Sequence, residues 1–314
     1  MGLKEMPVKR IAISSFVVVA ALTASLAGFQ IRAQTTDQAW STFLGGGQTD
    51  LQPNRIKIEY AEPEHPQVEP FRDMLIQRRP LEKVQEIFSP LRLPMDLTVR
   101  TKECGISNAW YRRPDITICY EYLRDIVDMA PKDMSPEGIS PMDAIVGQFL
   151  FTAAHETGHA VFDLLDIPLF GRPEDDADQF AAHVLIKIGQ QDARRLIEGA
   201  AYMYNEYIKN PTVTVRVTAF ADVHGAPVQR LYNLLCLAYG ENPDAFSDVV
   251  DKGYLPKSRA PACKQEWGEV DFAFQKLIYP YIDRKLLNDV LSKSWAPDRN
   301  TPPPRMTDVP QSVR

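Results

Sequence analysis

Apolar residues run almost unbroken from position 144 to 165, and the run has recognisable ends. Ser140-Pro141-Met142-Asp143 offers an N-cap serine, a proline suited to the first helical position and an acid for the first turn, while Ile167-Pro168 supplies the stop. The pattern predicts one long, buried helix. Ahead of it, polar and apolar residues alternate over residues 55–60, and residues 95–100, 107–111 and 116–121 also read as strands. Arg112-Arg113-Pro114-Asp115 reads as the turn joining the last two. Residues 70–88 read as one helical stretch ending near Pro90. Beyond the long helix, further helices are expected from Pro173 onward, over 196–207, from Gln229 to Leu237, over 266–277 and over 282–291. A small sheet followed by helices makes an α+β domain spanning roughly residues 54–295.

The ends of the chain read differently. Lys4, Lys9 and Arg10 precede an apolar run over residues 11–29, with small residues at Ser25-Leu26-Ala27 and again at Ala33, so residues 1–33 read as an export signal or an uncleaved signal anchor. Either way the bulk of the chain is expected to be exported, periplasmic or secreted. Residues 34–53, rich in Gln, Thr, Asp and Gly, read as a flexible linker, and residues 296–314, with five prolines among polar residues, as a disordered tail. The formal charge is -6, and removing residues 1–33, with four basic side chains and one acid, makes it -9. Such a balance disfavours nucleic acid and anionic membrane surfaces as partners. Cys104, Cys119, Cys236 and Cys263 are an even number in a chain expected to reach an oxidising compartment and include no Cys-x-x-Cys pair, so two disulfides are expected. Chain order suggests Cys104 with Cys119 and Cys236 with Cys263, out of three possible connectivities.

Inside the long helix lies a His-Glu-x-x-His, formed by His155, Glu156 and His159. Positions four apart stand one turn above each other on a helix face, so the two imidazoles can serve one metal ion. Glu156 projects about 100° round the helix, where it can reach a water at the metal rather than the metal. Downstream, residues 173–185 open with Pro173 and four acids, a composition that any helix N-terminus attracts. Helical angle separates the acids: Ala177, Ala181, Val184, Leu185 and Ile188 gather on one face, Glu174 and Asp178 lie on or beside it, and Asp175 and Asp176 point elsewhere. An unpaired buried carboxylate is costly, whereas a metal for Glu174 and a histidine N–H for Asp178 would satisfy both.

His-Glu-x-x-His followed by Glu-x-x-x-Asp on a second helix resembles the gluzincin zinc peptidases. Together with Glu-Asp-Asp-Ala-Asp-Gln-Phe-Ala and Gln-Arg-Leu-Tyr-Asn-Leu-Leu-Cys, it is similar to a family of exported bacterial proteins labelled metallopeptidases, over most of the region from residue 56 to about 281. The resemblance implies a zincin-like fold, Zn²⁺ held by His155, His159 and Glu174, Glu156 as general base, and Asp178 orienting His155. Glu174 follows His159 by fifteen residues, a shorter spacing than in the better-known gluzincins, so Asp175 or Asp178 stays open as the third ligand. A donor for the developing oxyanion is needed, and His224, Arg230 and Tyr232 are the candidates. Asn108, Ala109 and Trp110 are candidates for a strand edge that holds an extended peptide. The expected substrate is a peptide or protein. Two alternatives are a non-catalytic zinc-binding scaffold and an amidase acting on cell-wall material.

Overall fold

The structure is a computed structural model that describes residues 50–188, 192–209 and 222–304. The segment read as an export signal or anchor, most of the stretch read as a linker and the last ten residues lie outside the described residues. The chain divides into Met1–Gln48 and Thr49–Arg314, and everything below concerns the second unit.

Strand β1 (Ile56–Tyr60) is followed by two helices, α1 (Glu69–Arg78) and α2 (Pro80–Phe88), where the hydrophobic pattern predicts one. Arg79 adopts the left-handed conformation, φ 55°, and Pro80, which has no N–H to give to a continuing helix, starts the second. Strand β2 (Leu97–Lys102) lies parallel to β1, with Ile56 opposite Leu97. β3 (Ala109–Arg112) and β4 (Asp115–Cys119) form the expected hairpin, Arg112 opposite Asp115. β4 pairs in parallel with β2, giving the order β1-β2-β4-β3 and leaving β3 on an edge. Cys104 and Cys119 are joined by a disulfide across the start of this hairpin.

The strand predicted through residue 121 stops at Cys119, because α3 (Tyr120–Met129) begins there. Tyr120, Leu123 and Ile126 recur at helical spacing and are buried, a period hidden by the β-favouring residues just before it. The long helix α4 (Pro141–Leu164) starts as predicted. Ser140 Oγ accepts from the Asp143 N–H at 3.1 Å, and Asp143 returns the bond to the Ser140 N–H at 3.2 Å. Then come α5 (Pro173–Ile188), α6 (Ala193–Lys209), α7 (Pro227–Glu241), the short α8 (Ser247–Asp251), α9 (Ala260–Leu277) and α10 (Arg284–Leu291).

Helix α4 is the centre of the core, packed on α5 and α6 and against β3 and β4. It meets α6 backbone to backbone. A Cβ on Gly147 would stand 2.5 Å from the Leu196 carbonyl oxygen, and one on Gly199 would land on the Asp143 carbonyl. The second disulfide, Cys236–Cys263, ties α7 to α9, and Cys263 sits within α9, which begins at Ala260, ahead of the helix expected over 266–277. The fold also extends past both predicted boundaries. Gln52 and Leu93 exchange backbone hydrogen bonds of 3.1 and 3.0 Å, so the last linker residues belong to the domain. At the other end, Asp192 accepts from the Trp295 and Ala296 N–H groups, and Arg78 donates to the Pro302 carbonyl at 3.1 Å. No helix among the described residues is long and apolar enough to cross a membrane.

Candidate metal centre

Helices α4 and α5 bring three ligating atoms to one point. His155 Nε2 lies 3.0 Å from Glu174 Oε2, His159 Nε2 lies 3.3 Å from the same oxygen, and the two nitrogens are 3.2 Å apart. A tetrahedral cation with ligands at about 2.0–2.1 Å requires ligand–ligand edges of about 3.3–3.4 Å, so this triangle fits one with adjustments of a few tenths of an ångström. Two imidazoles and one carboxylate are also a donor set suited to zinc chemistry. On its far side, His155 Nδ1 faces Asp178 Oδ1 at 2.8 Å. Arg230 grips that carboxylate with two bonds, Nε to Oδ2 at 2.7 Å and Nη2 to Oδ1 at 2.6 Å. Asp175 is turned outward and pairs with Arg172 at 3.2 Å, so of the three acids left open as third ligand only Glu174 reaches the Nε2 atoms of both histidines.

The surrounding donors keep Glu174 ionised. Hydrogen bonds from His155 first, then His159 and His224, hold its carboxyl far below the usual carboxylate range. Burial pulls the His155 imidazole down, yet Asp178 and Glu174 together push it up to about 9. Burial acts to raise Asp178 as well, and His155 with Arg230 outweighs it, leaving the carboxyl below its ordinary value. Glu156, buried beside them, is raised by desolvation, the direction that suits a group that must take up and release a proton near neutrality.

A cleft of about 550 Å³ opens onto this cluster, with Glu156, His159 and Glu174 on one side and residues 108–111 of the β3 edge on the other. Asn108, Ala109 and Trp110 therefore line the cleft, as the strand-edge expectation requires. Of the three oxyanion candidates, His224 reaches it. Its Nε2 is 2.9 Å from Glu174 Oε2, its Nδ1 is 3.3 Å from Asp222, and its ring is half exposed on the cleft wall. Arg230 does not line this cleft, because its guanidinium is committed to Asp178. Tyr232, about 200° further round the same helix, lines neither this cleft nor the neighbouring cavity.

The chain belongs to the family described as "Putative metallopeptidase". Its family model matches residues 60–278, from the end of β1 through α9. Membership supports a general peptidase role and implies a metal; of the two groupings of ligating side chains among the described residues, that of Cys104, Cys119 and Glu121 has its sulfurs joined in a disulfide, which leaves His155, His159 and Glu174 as the candidate to hold one. No curated protein and no solved structure matches the chain.

Sequence reasoning missed the device that seats the cleft wall. Tyr111 Oη donates to Asp163 Oδ2 at 2.6 Å, and Arg113 donates to the same carboxylate at 2.7 and 2.9 Å, so the edge strand is bolted to α4. The signal was present: Asp163 stands four residues after His159, one turn further along the same face.

Proposed function

We propose that this chain is an exported zinc peptidase of the gluzincin type with a zincin-like fold. The observation that carries the reading is the 3.0–3.3 Å triangle of His155, His159 and Glu174, of which His159 and Glu174 line a cleft together with Glu156. A Zn²⁺ held by those three residues supplies Lewis acidity, lowering the pKa of water and polarising a carbonyl oxygen. The rest falls to the chain. The β3 edge holds an extended peptide by main-chain hydrogen bonds along residues 108–111. Glu156 accepts the proton of the attacking water and returns it to the leaving amine. His224 donates to the oxygen that gains charge as the carbonyl carbon becomes tetrahedral. Asp178 accepts a hydrogen bond from the Nδ1–H of His155, which keeps the proton on Nδ1 and the Nε2 lone pair directed to the centre, and Arg230 keeps Asp178 in place.

The test is hydrolysis of a broad peptide library by the zinc-loaded protein, with and without a chelator, and by the Glu156→Gln variant. Loss of a general base predicts a fall of about 10²–10⁴-fold in kcat, with zinc retained. A Glu156→Gln protein that holds zinc and hydrolyses at the full rate contradicts the mechanism.

A further inference from the structure

We infer that the cavity next to the metal centre selects the substrate, and that it takes a long basic side chain, lysine or arginine, on a residue flanking the scissile bond. The inference rests on the peptidase reading above. This cavity, about 500 Å³, shares His224 with the cleft, and Ser107 on its wall adjoins Asn108 on the wall of the cleft. A peptide lying along β3 therefore has one flanking side chain within reach of it.

Three features define what fits. The walls are largely apolar, built from Tyr122, Ile126, Met129, Met203 and Tyr204, and they suit an aliphatic stem. Gln148, on α4 two turns before His155, lines the cavity and is only 9% exposed. Its Nε2 donates to Tyr122 Oη at 2.9 Å and to Thr152 Oγ1 at 3.3 Å, while its Oε1 is buried with no hydrogen-bond partner among the described residues. A buried acceptor left unpaired is costly, and a donor brought by the ligand relieves it. Third is charge. Arg230 is neutralised in place by Asp178, the Asp222 carboxylate accepts from the His224 backbone N–H at 2.9 Å and lies 3.3 Å from its ring on the same wall, and Asp125 is the other carboxylate there. Asp125 pairs with Arg124 at a loose 3.6 Å and stays 42% exposed. A lysine or arginine side chain satisfies all three features. An aliphatic side chain leaves Gln148 Oε1 unpaired, and an acidic one meets two carboxylates and a lone pair.

The test uses peptides identical except at one position beside the scissile bond, carrying lysine, arginine, norleucine or glutamate. Two readouts are taken: kcat/KM with the zinc-loaded wild type, and affinity for labelled peptide with the Glu156→Gln protein. Lysine and arginine should exceed norleucine by about tenfold or more in both, since a site reading a donor rejects the analogue that lacks it. Gln148→Leu should collapse that ratio. So should Met129→Lys, placed at an exposed helix end where a lysine is tolerated and acting by charge repulsion even where Gln148→Leu does not fold. Norleucine or glutamate equal to lysine in the wild type, or a ratio unmoved by both variants, overturns the inference. Binding that favours lysine without any cleavage would sink the peptidase reading and leave the pocket standing. Cleavage indifferent to the lysine head group would do the reverse.

Discussion

Among the described residues the hydrogen bonds of Asp178 go to the centre's own support: His155 on one side and Arg230 on the other. Partners of this kind orient a ligand rather than bind the metal, and losing one usually costs about 10–100-fold in affinity. Asp178→Asn keeps the shape and removes the charge, so chelator competition should show zinc held less tightly by about that factor, with the fold intact. Asp175, paired with Arg172 on the outer side of α5, gives the internal control. Asp175→Asn should retain zinc as the wild type does, while Glu174→Gln should lose it. Were the two results exchanged, the assignment of the third ligand would be wrong. Helical spacing singled out His155, Glu156 and His159 and set Glu174 and Asp178 on the inward face of a helix opened by Pro173, whereas the choice of Glu174 as a ligand came from the resemblance to the gluzincins and stayed open against Asp175 and Asp178. His224, Arg230 and Tyr232 could not be ranked that way. Where each points depends on how α7 and the segment before it pack on α5, and no local period encodes that.

At the scale of elements, two contacts decide how the helices pack. The first is the meeting of α4 and α6, where Gly199 lies against the Asp143 carbonyl. Gly199→Ala forces backbone to move, and overpacking of this kind costs about 1–3 kcal/mol, to be read as a lower denaturant midpoint with an unchanged slope. An unaltered midpoint would mean that the helices do not approach this closely. The second is His183 on α5, buried between the rings of Trp267 and Phe274 on α9, with Nε2 3.0 Å from Asp271 Oδ1. Burial outweighs Asp271 and lowers the imidazole from 6.5 to about 4. The unfolded imidazole takes up its proton as the pH falls through 6.5 and the native one only near 4, so this contribution is complete above pH 6.5 and lost on going down to about 4. The slope is at most about 1.4 kcal/mol per pH unit. Comparing unfolding free energies at pH 7 and pH 5 should show His183→Gln, which keeps a donor for Asp271, falling less than the wild type. Equal falls in the two proteins would refute it. Elements themselves were legible where period and caps agreed, as in α4 and the β3–β4 hairpin. They were misread where local preference conflicted with the observed backbone, at Arg79 within residues 70–88 and at Tyr120, where a strand gives way to a helix without a loop.

Across the whole molecule, the two disulfides divide their work between stability and the site. Cys236–Cys263 spans 27 residues and ties α7, which carries Arg230, to α9, which packs on His183. Cys104–Cys119 spans 15 residues and closes the segment leading into the cleft wall at Asn108, where the Cys104 and Gly105 N–H groups also donate to the buried Glu121. Restricting loops of these lengths in the unfolded chain contributes about 3 and 3.5 kcal/mol on a chain-entropy account, a large share of the roughly 5–15 kcal/mol that holds a domain folded. In a reducing compartment neither bond would persist, which agrees with the proposed export. The expectation is therefore a graded one. Replacing Cys236 and Cys263 together by serine should lower the unfolding midpoint and leave kcat/KM on a good peptide nearly unchanged well below that midpoint. Replacing Cys104 and Cys119 should lower the midpoint by a similar amount and also raise KM, because the freed segment no longer sets residues 108–111 against the metal helix. Asp163 limits that second loss, since its bonds to Tyr111 and Arg113 still hold the far end of β3. Adding Asp163→Asn to the Cys104 and Cys119 replacements should then raise KM further while the protein keeps its zinc. If the Cys104 and Cys119 pair affected only the midpoint, the edge strand would not be the surface on which the peptide lies.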